Sequence, residues 1–313
     1  MAVARPELEL AAPVAIDLSR EAAGVSARMP DLLMQARFVA NTVAHGIHGR
    51  RRAGPGETFW QFRRFQSGEP ARRVDWRRSA RDDHLYVREK EWEAAHTVWI
   101  WLDRSASMYF GSNLGLCRKI DRAIVLALAM TDLLIRGGER VGLVDLMRPT
   151  AQRHAVERAA MAIAREPLTD DILPDAAPFG RFSELIAISD LLEPLDRIEP
   201  VMTAIAGRRV HGHLAQVLDP VEETFPFRGR TEFHDGAQGL RYVAGRAETV
   251  REAYLNRMAE RRTRLKSVVD RIGWSSLLHH TDRPAQEPVL MLHGRLSGNA
   301  DIRPAGKPAE AAS

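Results

Sequence analysis

The apolar and polar positions change rhythm most clearly at Thr97, where "TVWIWLD" runs apolar and stops on Asp103. A short apolar run of this kind predicts a strand buried on both faces of a parallel sheet. Helical spacing follows in Leu116, Ile120, Ile124, Leu128, Met130 and Leu134, and Gly137-Gly138 closes it. The pattern then predicts a strand over 140–146 ("RVGLVDL"), a helix over 152–165 and a strand over 184–190 ("ELIAISD"). A helix over 194–206 and a strand over 209–219 ("RVHGHLAQVLD") come next. Strands that alternate with helices predict an α/β fold with a doubly wound, mostly parallel sheet, whose ligands sit beyond the carboxyl ends of the strands. A last long helix is expected over 240–272, where Val243, Ala247, Val250, Tyr254, Met258, Leu265, Val268 and Ile272 keep helical spacing. Its arginines are read as the solvated face of a core-packing helix, in preference to a membrane or nucleic-acid helix.

Upstream of that core, residues 1–29 read as an irregular lead-in and 30–48 as a helix broken at Gly49. Residues 30–95 form an N-terminal elaboration rich in arginine and aromatics. It holds Phe59, Trp60, Phe62, Phe65 and Trp76, too many large apolar groups for a flexible tail. The main domain is expected over 96–293, with a disordered tail over 294–313. No internal repeat is visible.

Composition fits a globular chain, with 45% hydrophobic and 27% charged residues. The longest apolar stretch, 124–135, is interrupted by Asp132 and falls short of a membrane span. The first residues mix acids and prolines and do not resemble a secretory leader, so a cytoplasmic address is expected. The single Cys117 excludes an internal disulfide or a cysteine metal cluster, and it reads as a small buried helix residue. The net charge of +4 conceals a local excess: residues 50–90 carry twelve Lys or Arg against six Asp or Glu. Such a segment favours an acidic protein, nucleic acid or an anionic membrane face.

The chemistry concentrates at the strand ends. Asp103, Ser105 and Ser107 directly follow the first core strand, and Asp190 closes the third in the same way. Parallel strands bring these four to one edge. Carboxylates with neutral hydroxyls make an oxygen-only shell suited to Mg²⁺ or Mn²⁺. Such a shell under-neutralises the ion and leaves it attractive to an incoming acidic side chain. The bland alternative is a serine pair that caps the following helix. No G-x-S-x-G elbow and no P-loop occur, and Ser105 stands where an aspartyl-phosphate enzyme needs a second carboxylate.

On these residues the chain resembles known families. "WIWLDRSASM" looks like the metal-ion-dependent adhesion site of von Willebrand factor A domains, with Asp190 of "IAISD" as its distal aspartate. That resemblance implies a threonine ligand on an intervening loop, for which Thr169 is the best-placed residue, although it lacks a flanking glycine. The segment 49–93 ("GRRRAGPGETFW" through "VREKEWE"), "QVLDPVEETFPFRG" (216–229) and "REAY" (251–254) are similar to the bacterial family known as domain of unknown function 58. The resemblance runs from about 45 to 290. It implies a von Willebrand A-like module that acts with a MoxR-type AAA+ ATPase on an unknown client. Many relatives carry membrane helices, and none is expected here.

Two neighbouring sets remain open at this level. Arg72, Arg73, Asp75, Trp76, Arg77 and Arg81 read as an ion-pair network with Trp76 buried beneath it, ahead of a docking surface or a nucleic-acid patch. Asp219 and Glu222 are expected to stabilise a turn in preference to joining the metal edge. The leading function is therefore a non-enzymatic, metal-dependent protein-binding module. The alternatives are nucleic-acid binding through the basic 50–90 segment, and a metal-dependent hydrolase using Asp103.

Overall fold

A computed structural model describes residues 18–48, 59–65, 74–81, 84–90, 96–169, 173–176, 178–234 and 241–297. The chain divides into two units, Met1–Ala44 with Thr97–Ser313, and His45–His96. The sheet domain therefore includes most of the first helix, which the sequence reading assigned to the elaboration.

In the larger unit the elements in chain order are α1 (Leu18–His48, whose last residues cross into the smaller unit), β3 (Thr97–Leu102), α3 (Lys119–Arg136) and β4 (Arg140–Leu143). They are followed by β5 (Met147–Thr150), α4 (Ala155–Arg165), β6 (Glu184–Ser189), α5 (Leu195–Gly207), β7 (His211–Leu218) and α6 (Pro220–Thr224). The last are β8 (Thr231–His234), β9 (Arg241–Ala244), α7 (Glu248–Arg271), β10 (Ser275–His280) and α8 (Gln286–Leu296). Six strands form one sheet in the order β10-β7-β6-β3-β4-β5. All neighbours are parallel except β4 and β5. The doubly wound expectation is met at this level.

Alternation along β3 explains the layers. Trp99 and Trp101 face a core built from Leu195, Ile198, Met202 and Ile205 of α5 and Leu265, Val268 and Val269 of α7. Val98, Ile100 and Leu102 point the other way, towards α3, whose residues from Lys119 to Thr131 are all buried. On that side α1 is fastened to its neighbours by Arg28–Asp121 at 2.8 Å, Arg37–Glu157, and the Ser26 hydroxyl donating to the Ala164 carbonyl at 2.6 Å.

Several boundaries differ from the sequence reading. The first helix starts at Leu18, inside the expected irregular lead-in, because Val25, Met29, Leu32, Ala36, Val39 and Val43 keep one buried stripe across Pro30. Pro30 itself is exposed and does not end the helix. The expected 240–272 helix begins at Glu248, and Arg241–Ala244 instead pairs antiparallel with Thr231–His234. Phe225, Phe227, Phe233, Tyr242 and Tyr254 pack that hairpin onto α7. Cys117 is half-buried in the loop before α3, off the helix, and burial pushes its thiol up. The described chain runs to residue 297, with α8 reaching past the expected tail boundary, and the rest of the tail lies outside the described residues. Among the described residues no helix is long and apolar enough to cross a membrane.

One close approach fixes where β10 begins. The Trp274 indole lies flat against Gly212 of β7, so that a Cβ on Gly212 would overlap its ring atoms. The indole nitrogen donates to the Val210 carbonyl at 3.0 Å, which holds the ring in place. Gly212→Ala is therefore expected to destabilise the protein by about 2 kcal/mol, the usual scale of overpacking. Urea denaturation measures it; an unchanged midpoint would show that the indole moves freely.

In the smaller unit β1 (Phe59–Arg64) pairs antiparallel with β2 (Tyr86–Lys90). The one-turn helix α2 (Trp76–Ser79) is capped by Asp75, whose carboxylate accepts from the Arg78 amide at 3.0 Å. Arg78 lies over the Tyr86 ring at 4.9 Å. Trp76 is 62% exposed, which corrects its expected place beneath an arginine network. As the first residue of a single-turn helix it projects outward, while Val74, Ser79 and Val87 fill the interior. Arg72 and Arg73 lie outside the described residues, as do the side chains of Phe59, Trp60 and Phe62.

Candidate metal site

From β3 the chain goes first to β4 on one side and later to β6 on the other, so the strand order reverses between β3 and β6. The crevice at such a reversal is where doubly wound sheets bind ligands. Asp103 directly follows β3 and Asp190 directly follows β6, and both are buried.

Each carboxylate is held in place. Asp103 accepts from the Ser105 amide at 2.9 Å and from the Ser189 hydroxyl at 2.6 Å. Asp190 accepts from the Leu192 amide at 3.1 Å and from the Lys119 ammonium at 2.8 Å. Ser105 opens a 3-10 turn over Ala106–Tyr109 but makes no side-chain cap there, so the capping alternative is not what its hydroxyl does. That hydroxyl faces Ser107 Oγ at 3.2 Å. The main chain of Thr169 joins the same loop, its amide donating to the Arg104 carbonyl at 3.2 Å. Asp103, Ser105, Ser107 and Asp190 thus stand at one edge, and Thr169 joins the loop there through its main chain.

Burial, followed by the neighbouring charge of Asp190, lifts the Asp103 carboxyl to about 6, although hydrogen bonds from Ser189 and Ser105 favour its ionised form. The site stores unfavourable negative charge, which a cation relieves. A hard cation of the Mg²⁺ type holds oxygens about 2.1 Å away in octahedral directions, so adjacent ligands stand about 3 Å apart. The Ser105–Ser107 spacing of 3.2 Å fits one edge of such a shell. Asp103 is the carboxylate that would stand beside that pair, whereas Asp190 already has an ammonium on one oxygen.

That ammonium is the residue sequence reasoning missed. Lys119, at the start of α3, is wholly buried and also donates to Glu222 Oε1 at 2.6 Å. Burial pulls its proton affinity down, but Asp190 and Glu222 more than compensate and hold it above the ordinary lysine range. Two carboxylates share one ammonium, and burial leaves Glu222 raised despite the pull of Lys119. A signal was present: Lys119 shares a helical stripe with Ala123, Leu126 and Met130, all fully buried.

Asp219 and Glu222 stabilise a turn, as expected, and one of them does more. They form a reciprocal capping box on α6, with Asp219 also accepting from the Ser112 amide and hydroxyl at 2.9 and 2.6 Å. The free end of Glu222 then reaches Lys119 and ties the box to Asp190.

The model of the family described as "Protein of unknown function DUF58" matches residues 61–264, more than half of the chain. The chain belongs to the DUF58 family. This DUF58 chain is 29% identical over 276 residues to uncharacterized proteins of Mycobacterium bovis and of Mycobacterium tuberculosis strain H37Rv, covering 83% of this chain and 86% of each relative. Among solved structures it is similar to the conserved hypothetical protein BatB from Bacteroides thetaiotaomicron, at 15% identity and a TM-score of 0.39, over 65% of this chain and 100% of that one. An aerotolerance-related membrane protein from Bacteroides fragilis, with multiple mutations to serines, gives 15% identity and a TM-score of 0.35 over 62% and 96%. Likenesses this distant carry no argument about the DUF58 chain.

Proposed function

We propose that this DUF58 chain is a non-enzymatic, divalent-metal-dependent protein-binding module of von Willebrand A type, with Mg²⁺ or Mn²⁺ held by Asp103, Ser105 and Ser107. Asp190 and Thr169 complete the edge. The observation that supports it is the pair of neutral hydroxyls 3.2 Å apart, beside a strained carboxylate, at the reversal of strand order. When bound, the ion supplies a Lewis-acidic position for a carboxylate of a partner protein. Asp103 and the two serines orient it, and Ser189 and the Ser105 amide keep Asp103 in position. The family resemblance points to a MoxR-type AAA+ ATPase as that partner, the module serving as its adaptor towards a client.

Capture of partners from a lysate of the source cell tests this reading. Recovery of an AAA+ ATPase in Mg²⁺, its loss in EDTA, and the same loss with Ser105→Ala/Ser107→Ala are expected. Undiminished recovery in chelator and with the double variant would remove the metal from recognition.

A further inference from the structure

Apart from the strand-end edge, the β8–β9 hairpin and α7 form a cavity of about 400 Å³. Its walls are Phe225, Phe233, Tyr242, Val250 and Tyr254, and among the described residues no acid lines it. The rings hold one another in place. Phe225 stacks on Phe233 with centroids 5.6 Å apart and lies 4.6 Å from Tyr254, while Phe233 stacks on Tyr242 at 6.3 Å. The Tyr254 hydroxyl donates to the Glu222 carbonyl at 2.7 Å and fixes that ring. Phe225 has a φ of 43°, a left-handed conformation that bulky residues seldom adopt and that clusters at ligand sites.

Arg257 lines the same cavity. Val250, Tyr254 and Arg257 recur at helical spacing and share one face of α7. The arginines around it are engaged: Arg241 pairs with Glu232 and Arg262 with Glu223, each at 2.5 Å, and Arg251 and Arg261 donate to the Thr224 and Leu191 carbonyls. Arg257 is exposed and makes no hydrogen bond or ion pair among the described residues. A cage of bare rings would attract a quaternary ammonium. A guanidinium in its lining repels one and favours an apolar group that carries a negative charge.

We propose that this cavity takes the carboxy-terminal residue of a partner polypeptide, its apolar side chain among the rings and its terminal carboxylate on Arg257. Such a residue carries both groups on one carbon, and capture of a chain's terminal carboxylate is an established mode of peptide recognition. The volume lies near the lower end of the ~300–1,000 Å³ range of ligand sites, which suits a single residue. Ala253 and Arg257 of the lining are exposed, so the occupant is not enclosed and the chain behind it can continue into solvent. The inference goes beyond the metal-dependent reading and does not draw on it.

The test uses the full chain in EDTA, so that its outcome is separate from that of the metal. The probe is a short acetylated peptide of glycine and serine ending in 4-fluorophenylalanine, followed by fluorine NMR, with its carboxy-terminal amide as control. The free acid is expected to bind at least about tenfold more tightly than the amide, the scale of one hydrogen bond to a charged group. Arg257→Gln should bring the two affinities together by weakening only the acid. Ala253→Trp, at an exposed helical position that leaves the core intact, should fill the cavity and weaken both. No binding at millimolar peptide, or equal binding of acid and amide to the wild-type chain, would overturn the proposal. So would a preference for the acid that survives Arg257→Gln, or binding that survives Ala253→Trp. If 4-fluorophenylacetate binds as tightly as the peptide, the occupant is a free acid and the polypeptide assignment fails.

Discussion

Acid is expected to unfold the wild-type protein well before a His279→Leu variant, with a gap of about 3 kcal/mol at pH 4.5 that vanishes by pH 8. His279 is buried on β10, and its Nε2 has no hydrogen-bond partner among the described residues. Burial, followed by the positive charges of Arg122 and His280, pushes the imidazole from 6.5 down to about 3. In the unfolded chain the same ring protonates near pH 6.5. Between those values the unfolded state binds more protons than the folded one, so stability falls by about 1.4 kcal/mol for each pH unit lost. The contribution is complete above pH 6.5 and gone near pH 3.

Leucine is close to histidine in volume and cannot charge, so the substitution should be nearly silent at neutral pH. Other groups titrate in the same window, Asp103 with the opposite sign, and the difference between variant and wild type isolates the ring. Urea midpoints measured from pH 4 to pH 8 decide it. Parallel curves for the two proteins would mean that His279 gains a partner when protonated.

The edge carrying Asp103, Ser105, Ser107 and Asp190 was legible because the strands before it are buried on both faces. "TVWIWL" and "ELIAIS" leave little choice of element, and their polar ends mark where the sheet stops. The strands that escaped notice lie where burial is weaker. β5 is an edge strand containing Pro149, which a ladder tolerates only at its margin and which reads from sequence as a break. β10, the other edge, is "SSLLHH", with little β propensity, and only Leu277 and His279 of its side chains are buried. The β8–β9 hairpin was lost because Val243 and Ala247 fit a helical stripe as well as a strand. Trp76 failed for a different reason: hydrophobicity sets an average preference for the interior, and a one-turn helix offers only one inward face.

Lys119 was missed at another level. Nothing in a stripe of apolar residues says that its first member will be an ammonium held by two acids, since those acids arrive from 71 and 103 residues away. Long-range charge pairing is settled by the topology, and only then does the odd residue in the stripe acquire a meaning.

Asp103→Asn is expected to make the protein more stable and unable to hold its cation. Wild-type Asp103 has a folded pKa of about 6 against an ordinary 3.8, so its buried charge opposes folding. The sign follows from proton binding: between pH 3.8 and 6 the folded state holds the extra proton, and acidification in that window stabilises it. Above pH 6 the benefit is lost and the full penalty of about 3 kcal/mol stands. Asparagine has the same shape and can still accept from the Ser105 amide, but it carries no charge. At pH 8 in EDTA the variant should therefore unfold at a higher urea concentration than wild type, and the two should converge as the pH approaches 4. Adding Mg²⁺ at pH 8 should narrow the gap from the other direction, because the ion stabilises only the protein that binds it. A variant less stable than wild type at pH 8 in EDTA would show that the Ser189 and Ser105 hydrogen bonds outweigh the burial of the charge. An Mg²⁺ response equal in the two proteins would instead place the cation away from Asp103.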